Sequence, residues 1–159
     1  MKYSQIIADT YLNFEVESYS LKIKERLTKS RKVYSIDVGM FNALSDIPGR
    51  TLGRQLENLV FLELKRRNET PFYIKNKNYE IDFVLTKNQK VTQLIQVAWD
   101  ISQPDTRERE TVALLKASEE LGCTNLLLLT SGEEELHTQI TITPVWKWLL
   151  QLPLFQGSP

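Results

Sequence analysis

Apolar and polar residues recur in two periods along this chain, and the switches between them mark its elements. From Thr51 to Arg67, Leu52, Leu56, Leu59 and Val60 recur at helical spacing, and Phe61 and Leu64 widen the stripe, which predicts a long amphipathic helix. Glu57 stands on the Phe61–Leu64 side, one and two turns before them, so it is expected toward the sheet rather than toward solvent. Three strand-like segments follow: Pro71 to Lys75, Glu80 to Leu85, and Leu94 to Trp99, with Asn88 to Lys90 turning the hairpin between the last two. Pro104-Asp105 opens a second long helix, Thr106 to Leu121, with Val112, Leu115 and Leu121 expected to face inward and Gly122 to end it. Asn125 to Thr130 is almost continuously apolar, which predicts a strand buried on both faces. Ile140 to Thr143 alternates, and Thr143-Pro144 opens a last helix, Val145 to Leu150.

The N-terminal part is less regular. Ser4 can cap a helix in which Ile7, Tyr11 and Phe14 recur, and from Glu17 to Arg26 the pattern loosens toward alternation through Tyr19, Leu21 and Ile23. Lys32 to Asp37 reads as a strand, Val38 to Leu44 as a short helix, Ser45 to Gly49 as a loop, and the tail from Pro153 is expected to fray. The order helix, three strands, helix, strand resembles the αβββαβ core of the restriction-endonuclease-like fold: an α/β architecture with a central mixed sheet flanked by helices.

Composition narrows the function classes. At 159 residues, 42% hydrophobic and 25% charged, the chain is expected to be one domain with a small appendage. Lys+Arg and Asp+Glu both number 20, so no global basic field attracts nucleic acid, and DNA contact would need a local patch such as Lys22 to Lys32 or Lys65-Arg66-Arg67. Those runs read equally well as solvated surface. A single cysteine, Cys123, excludes an internal disulfide framework and fits a reducing cytosol, where the chain is expected to reside; its place between a helix end and an apolar strand predicts a small core residue. The longest apolar run, Leu126 to Leu129, is far below the ~20 residues of a membrane span, and no apolar leader follows Lys2. One histidine, His137, excludes a multi-histidine zinc site, and its place after Glu133-Glu134-Glu135 predicts an exposed loop. Gly49 and Gly53 form no phosphate-binding loop.

The candidate chemistry lies on the two hairpin strands. On Glu80 to Leu85, Ile81, Phe83 and Leu85 share a face and Glu80, Asp82 and Val84 the other; on Leu94 to Trp99, Leu94, Gln96 and Ala98 share one face. By this parity Asp82 and Gln96 are expected on the same side, with Glu57 brought over them by the first helix. The layout resembles metal-dependent nucleases of the PD-(D/E)XK type, with an acid on one strand and (E/Q)-x-K on the next. The resemblance implies a Mg²⁺ site, with Mn²⁺ as substitute, built from Asp82, Gln96, the Val97 carbonyl and Glu57, the catalytic set being Glu57, Asp82 and Gln96. Here the triplet reads Gln96-Val97-Ala98, so the lysine that would position and polarise the attacking water is an alanine. Lys65, Lys75 and Arg109 are candidates for a displaced cation, each also readable as a solvated charge. Cleavage is therefore expected to be weak or absent, and Gln96→Glu with Ala98→Lys is expected to raise it if the rest of the site is intact. The plainer alternative pairs Asp82 with Glu80 on a half-solvated strand and Glu57 with Arg54 or Lys65.

Lys32 to Gly39, Gln55 to Leu64, Glu80 to Leu85 and Leu94 to Trp99, with Thr106 to Glu110 and Pro144 to Trp148 in support, resemble the C-terminal DUF4143 domain of bacterial and archaeal AAA-type ATPases. The likeness covers about Arg31 to Leu150. It implies a preceding ATPase module, absent from this sequence, and a winged helix whose remnant would be residues 1–32; residues 33–152 would be the restriction-endonuclease-like domain and 153–159 a tail. The chain is then expected to be a fragment or a natural truncation. Two functions compete: a nuclease-like accessory domain with Mg²⁺-dependent DNA cleavage at a modified site, which is favoured, and a non-catalytic module that keeps the fold and binds DNA or a protein partner. A third reading makes the domain an assembly platform for the ATPase module, and a homo-oligomer is open to each.

Overall fold

The computed structural model describes residues 12–20, 29–37 and 51–151. The expected short helix at 38–44, the loop after it, most of the basic run at 22–32 and the tail lie outside these residues, as does most of the N-terminal helix. Phe14, placed at the end of that helix by its spacing, instead lies in a strand, β1 (Asn13–Val16). Strand β1 pairs antiparallel with β2 (Lys32–Ser35) to form a separate two-stranded ribbon.

The remaining elements follow the expected order: α1 (Thr51–Arg66), β3 (Phe72–Lys75), β4 (Glu80–Lys87), β5 (Lys90–Val97), α2 (Pro104–Leu121), β6 (Leu126–Thr130), β7 (Ile140–Pro144) and α3 (Val145–Leu150). The five strands form one mixed sheet in the order β3-β4-β5-β6-β7, antiparallel from β3 to β5 and parallel from β5 to β7. Asn88 and Gln89 turn the β4–β5 hairpin at φ 52° and 64°, the left-handed pair that a two-residue turn between twisted strands requires. Helix α2 carries the chain from β5 to its parallel neighbour β6 and ends on Gly122 at φ 64°, whose N–H reaches the Ser118 carbonyl.

Two apolar layers cover the sheet. One joins Ala113, Leu114 and Ala117 of α2 to Ile81, Val84, Leu94, Ala98, Leu126 and Leu128, with Cys123 buried among them. The other joins Leu56, Val60, Phe61 and Leu64 of α1 and Trp148 of α3 to Phe83, Leu85, Ile95, Leu127 and Leu129. Strand β6 is buried along its whole length between them, as its unbroken apolar run predicts. The helices are rotated from their expected settings. Leu52 and Leu59 are exposed on α1, and on α2 the inward set is Glu110, Ala113, Leu114 and Ala117, which leaves Val112 outside. Two alanines facing the sheet let α2 approach closely, a signal that hydrophobicity alone does not weight. Among the described residues no helix is long and apolar enough to cross a membrane.

Candidate functional site where strands β4 and β5 part

A bulge in β4 positions the site. Phe72 pairs with Val84 and Ile74 with Ile81, so three steps on β4 oppose two on β3. The extra residue breaks the alternation: Ile81 and Val84 both pack under α2, while Phe83 and Leu85 pack under α1. Asp82 is thereby turned toward the α1 side, whereas Gln96, between Leu94 and Ala98, keeps the α2 side. The parity that placed Asp82 and Gln96 together assumed an unbroken pleat.

The β4–β5 pairing stops at Phe83 and Ile95, and side chains replace the missing backbone bonds. Gln96 Oε1 accepts the Asp82 N–H at 3.1 Å, and Asp82 Oδ2 accepts the Val97 N–H at 3.1 Å. Each residue thus satisfies a backbone donor of the opposite strand. Gln96 Nε2 donates to Glu110 Oε2 at 2.5 Å, and Glu110 in turn accepts from Arg109. Glu110, buried on α2, is a member of the site that sequence reasoning missed; its spacing with Ala113, Leu114 and Ala117 was the available signal. Glu110→Ala is expected to cost about 1–3 kcal/mol by stranding the Gln96 amide, and Glu110→Gln, which keeps an acceptor, much less, as read from urea unfolding midpoints.

On the α1 side the centre is Lys32, delivered by β2. Its Nζ lies 2.9 Å from Asp82 Oδ1, 3.1 Å from Glu57 Oε1 and 3.2 Å from Glu80 Oε1, and 5.6 Å from the centroid of the Tyr73 ring. Tyr34, two residues on and so on the same face, donates to Glu57 Oε1 at 2.6 Å and stacks on Phe61 at 4.4 Å. Asn58 clamps the ribbon to α1 by taking the Ser35 N–H and giving to the Ser35 carbonyl, both at 2.8 Å. A cleft of about 400 Å³ opens above this cluster, lined by Val33, Tyr34, Arg54, Gln55, Asn58 and the Lys32–Glu57–Glu80 group.

Three carboxylates around one ammonium leave an excess of negative charge, and the protonation preferences follow. Burial disfavours the Lys32 ammonium, but Asp82, Glu57 and Glu80 outweigh it and hold the proton on more firmly than usual. Burial and the charge of Glu57 push the Asp82 carboxyl up to about 7, against the pull of Lys32 and the Val97 amide. Burial raises Glu80 too, but Lys75 and Lys32 prevail and keep it below the usual range. The Tyr34 phenol, buried and facing Glu57, is pushed well up and stays a neutral donor.

The structure therefore brings Glu57 and Asp82 together through Lys32, with Gln96 adjoining through the Asp82 backbone. Of the displaced cations considered, Lys75 reaches Glu80 at 2.7 Å, and Arg109 is bound to Glu110 within the field of Asp82 and Glu80. Lys32, 25 and 50 residues from its partners Glu57 and Asp82, was not among them. Ala98 packs in the apolar layer under α2, so a lysine there would enter the core. His137 is exposed and uses Nδ1 to accept the Gln139 and Ile140 amides of its own loop.

The donor set can be tested against the implied Mg²⁺. That ion needs oxygens at about 2.0–2.1 Å in a near-octahedral shell. The Asp82 and Glu57 oxygens that would serve converge on the Lys32 ammonium, the second Asp82 oxygen holds the Val97 amide, and Gln96 Oε1 holds the Asp82 amide. Among the described residues no group of three or more His, Cys, Asp and Glu is set to hold a metal ion. The residues, as arranged, do not fit the ion.

The chain belongs to the family described as Domain of unknown function (DUF4143), whose model matches residues 52–148. A second model, Domain of unknown function (DUF8612), matches residues 1–51. The chain is 38% identical to an uncharacterised protein of Methanocaldococcus jannaschii over 93% of its own length and 35% of that protein. It is 27% identical to an uncharacterised protein of Haemophilus influenzae over 94% of its length and 36% of that protein. The chain thus spans about a third of the length of the curated relatives it matches. No solved structure matches it.

Proposed function

We propose that this chain is a non-catalytic assembly module that keeps a restriction-endonuclease-like fold, working in the cytosol as one part of a longer ATPase-family protein. The observation that carries this reading is the Lys32 ammonium seated within 3.2 Å of Glu57, Glu80 and Asp82, where the nuclease chemistry would need an open metal site. Ala98 in place of the motif lysine, and a glutamine whose two ends are both engaged, support it. Charge pairing among the described residues supports a protein partner over DNA. From the basic runs, Arg31 is paired with Glu15 and Glu17, Lys32 with the carboxylates, and Arg66 and Arg67 with Glu63. Cations already neutralised within the fold release few DNA counterions on contact.

A metal-dependent nuclease remains the second reading, favoured by one observation: Lys32 lies 2.9 Å from Asp82, close enough to take the role of the missing motif lysine. Incubation with supercoiled plasmid and Mg²⁺ or Mn²⁺ separates the two. No nicking above the level of an Asp82→Asn control is expected, together with duplex binding that vanishes at moderate salt. Efficient nicking abolished by Asp82→Asn would establish the nuclease instead.

A further inference from the structure

The ion pair at this site crosses a boundary in the sequence. Glu57, Glu80 and Asp82 lie within residues 52–148, matched by one family model, whereas Lys32 lies within residues 1–51, matched by another. Tyr34, which donates to Glu57, comes from the same ribbon. One unit supplies the acids, and the other supplies the cation that all three share.

We infer that Lys32 is a built-in substitute for the divalent cation: the ribbon's ammonium closes the Glu57–Glu80–Asp82 cluster, so that Lys32 and a metal ion exclude one another. This rests on the reading of the site as closed, and deepens it by naming what closes it. The geometry supports the exchange. The three oxygens converge on one nitrogen at 2.9–3.2 Å, ammonium distances, and contraction by about an ångström would bring them to the shorter distances at which oxygens hold a divalent ion. The Lys32 side chain is about one-fifth exposed, so the cluster is reachable from the cleft above it. Both cations cannot occupy it, because like charges at contact distance repel strongly in a partly buried setting. The ribbon's own docking does not depend on the lysine alone: the Tyr34–Phe61 stack and the Asn58–Ser35 pair also hold it.

The test is Mn²⁺ binding by the full chain, read by electron paramagnetic resonance and by thermal unfolding, for wild type, Lys32→Met, Lys32→Gln and Lys32→Arg. Wild type and Lys32→Arg are expected to show no saturable site. Lys32→Met and Lys32→Gln are expected to gain one saturable site per chain, on the order of a hundredfold tighter than any residual non-specific Mn²⁺ binding by wild type, with a Mn²⁺-dependent rise in melting temperature. Adding Asp82→Asn should remove both. If Lys32→Met does not fold without metal, Mn²⁺ should restore its far-ultraviolet circular dichroism. The inference is overturned if wild type binds Mn²⁺ in an Asp82-dependent way, or if neither neutral variant gains binding or Mn²⁺-dependent folding. Plasmid nicking does not bear on the exchange itself: a gain of Mn²⁺ without any nicking leaves the non-catalytic reading intact, and nicking by wild type removes that reading whatever Lys32→Met does.

Discussion

Lys32→Met is expected to cost about 3–5 kcal/mol of stability near pH 8 and far less near pH 5. The variant keeps an unbranched stem of similar length and removes the ammonium, leaving Glu57, Glu80 and Asp82 facing one another. Glu57 retains the Tyr34 hydroxyl and Glu80 retains Lys75, but Asp82, buried to 8% exposure, keeps only the Val97 amide. The sign follows from linkage. Asp82 already titrates near 7 in the fold, above its ordinary value of 3.8, so its contribution is fully present below pH 4 and is lost as pH rises toward 7. Without Lys32 the carboxyl is pushed up further, and the loss extends to higher pH. At pH 5 the proton can take the place of the missing cation; at pH 8 it cannot without a cost that grows with pH. Urea unfolding at the two pH values reads the difference directly. Equal losses at both would mean that Lys32 acts by packing against Tyr73, not by charge, and the site's electrostatic account would fall.

Much of the fold is legible in the sequence because it rests on periodicity. The burial of β6, the Gly122 helix end and the 88–90 turn follow from local residue chemistry, and so does the order of elements. Helix rotation was less legible: Leu52, Leu59 and Val112 are apolar yet outside, because Ala113 and Ala117 and the spacing of Leu56, Val60 and Phe61 set which face fits the sheet. The site was readable only in part. Glu57 and Asp82 stand out by type and by element. The bulge that parts Asp82 from Gln96 adds a residue without leaving a glycine or proline to mark it, so parity alone put both on one face. Lys32 lies in a basic run that reads as surface, on a strand outside the main sheet, and nothing local announces a contact 50 residues away.

Gln96→Glu combined with Ala98→Lys, the change that would rebuild the nuclease triplet, is expected to destabilise the chain by about 3 kcal/mol or more and to leave it unable to cut DNA. A glutamate at 96 can still accept the Asp82 N–H, but its other oxygen would meet Glu110, now 2.5 Å from the amide nitrogen it replaces. Two buried carboxylates in contact cannot both stay ionised; one must take a proton, and the penalty for leaving them ionised rises with pH. Arg109 offsets this only in part, since it is mostly exposed and already bound to Glu110. At position 98 a lysine adds three carbons and an ammonium to a layer of Ile81, Leu94, Ile101 and Leu114, all at most 1% exposed. The new pair would neutralise itself across one face, yet on the α2 side of the sheet, while Asp82, Glu57 and Lys32 remain on the α1 side. The chemistry would still lack an open metal site there, because Lys32 is untouched. Urea unfolding of the single and double variants at pH 5 and 8, with plasmid nicking in Mn²⁺, checks each step. A double variant as stable as wild type that nicks DNA, and loses this with Asp82→Asn, would show that the two faces communicate through the opened strands and that Lys32 does not close the site.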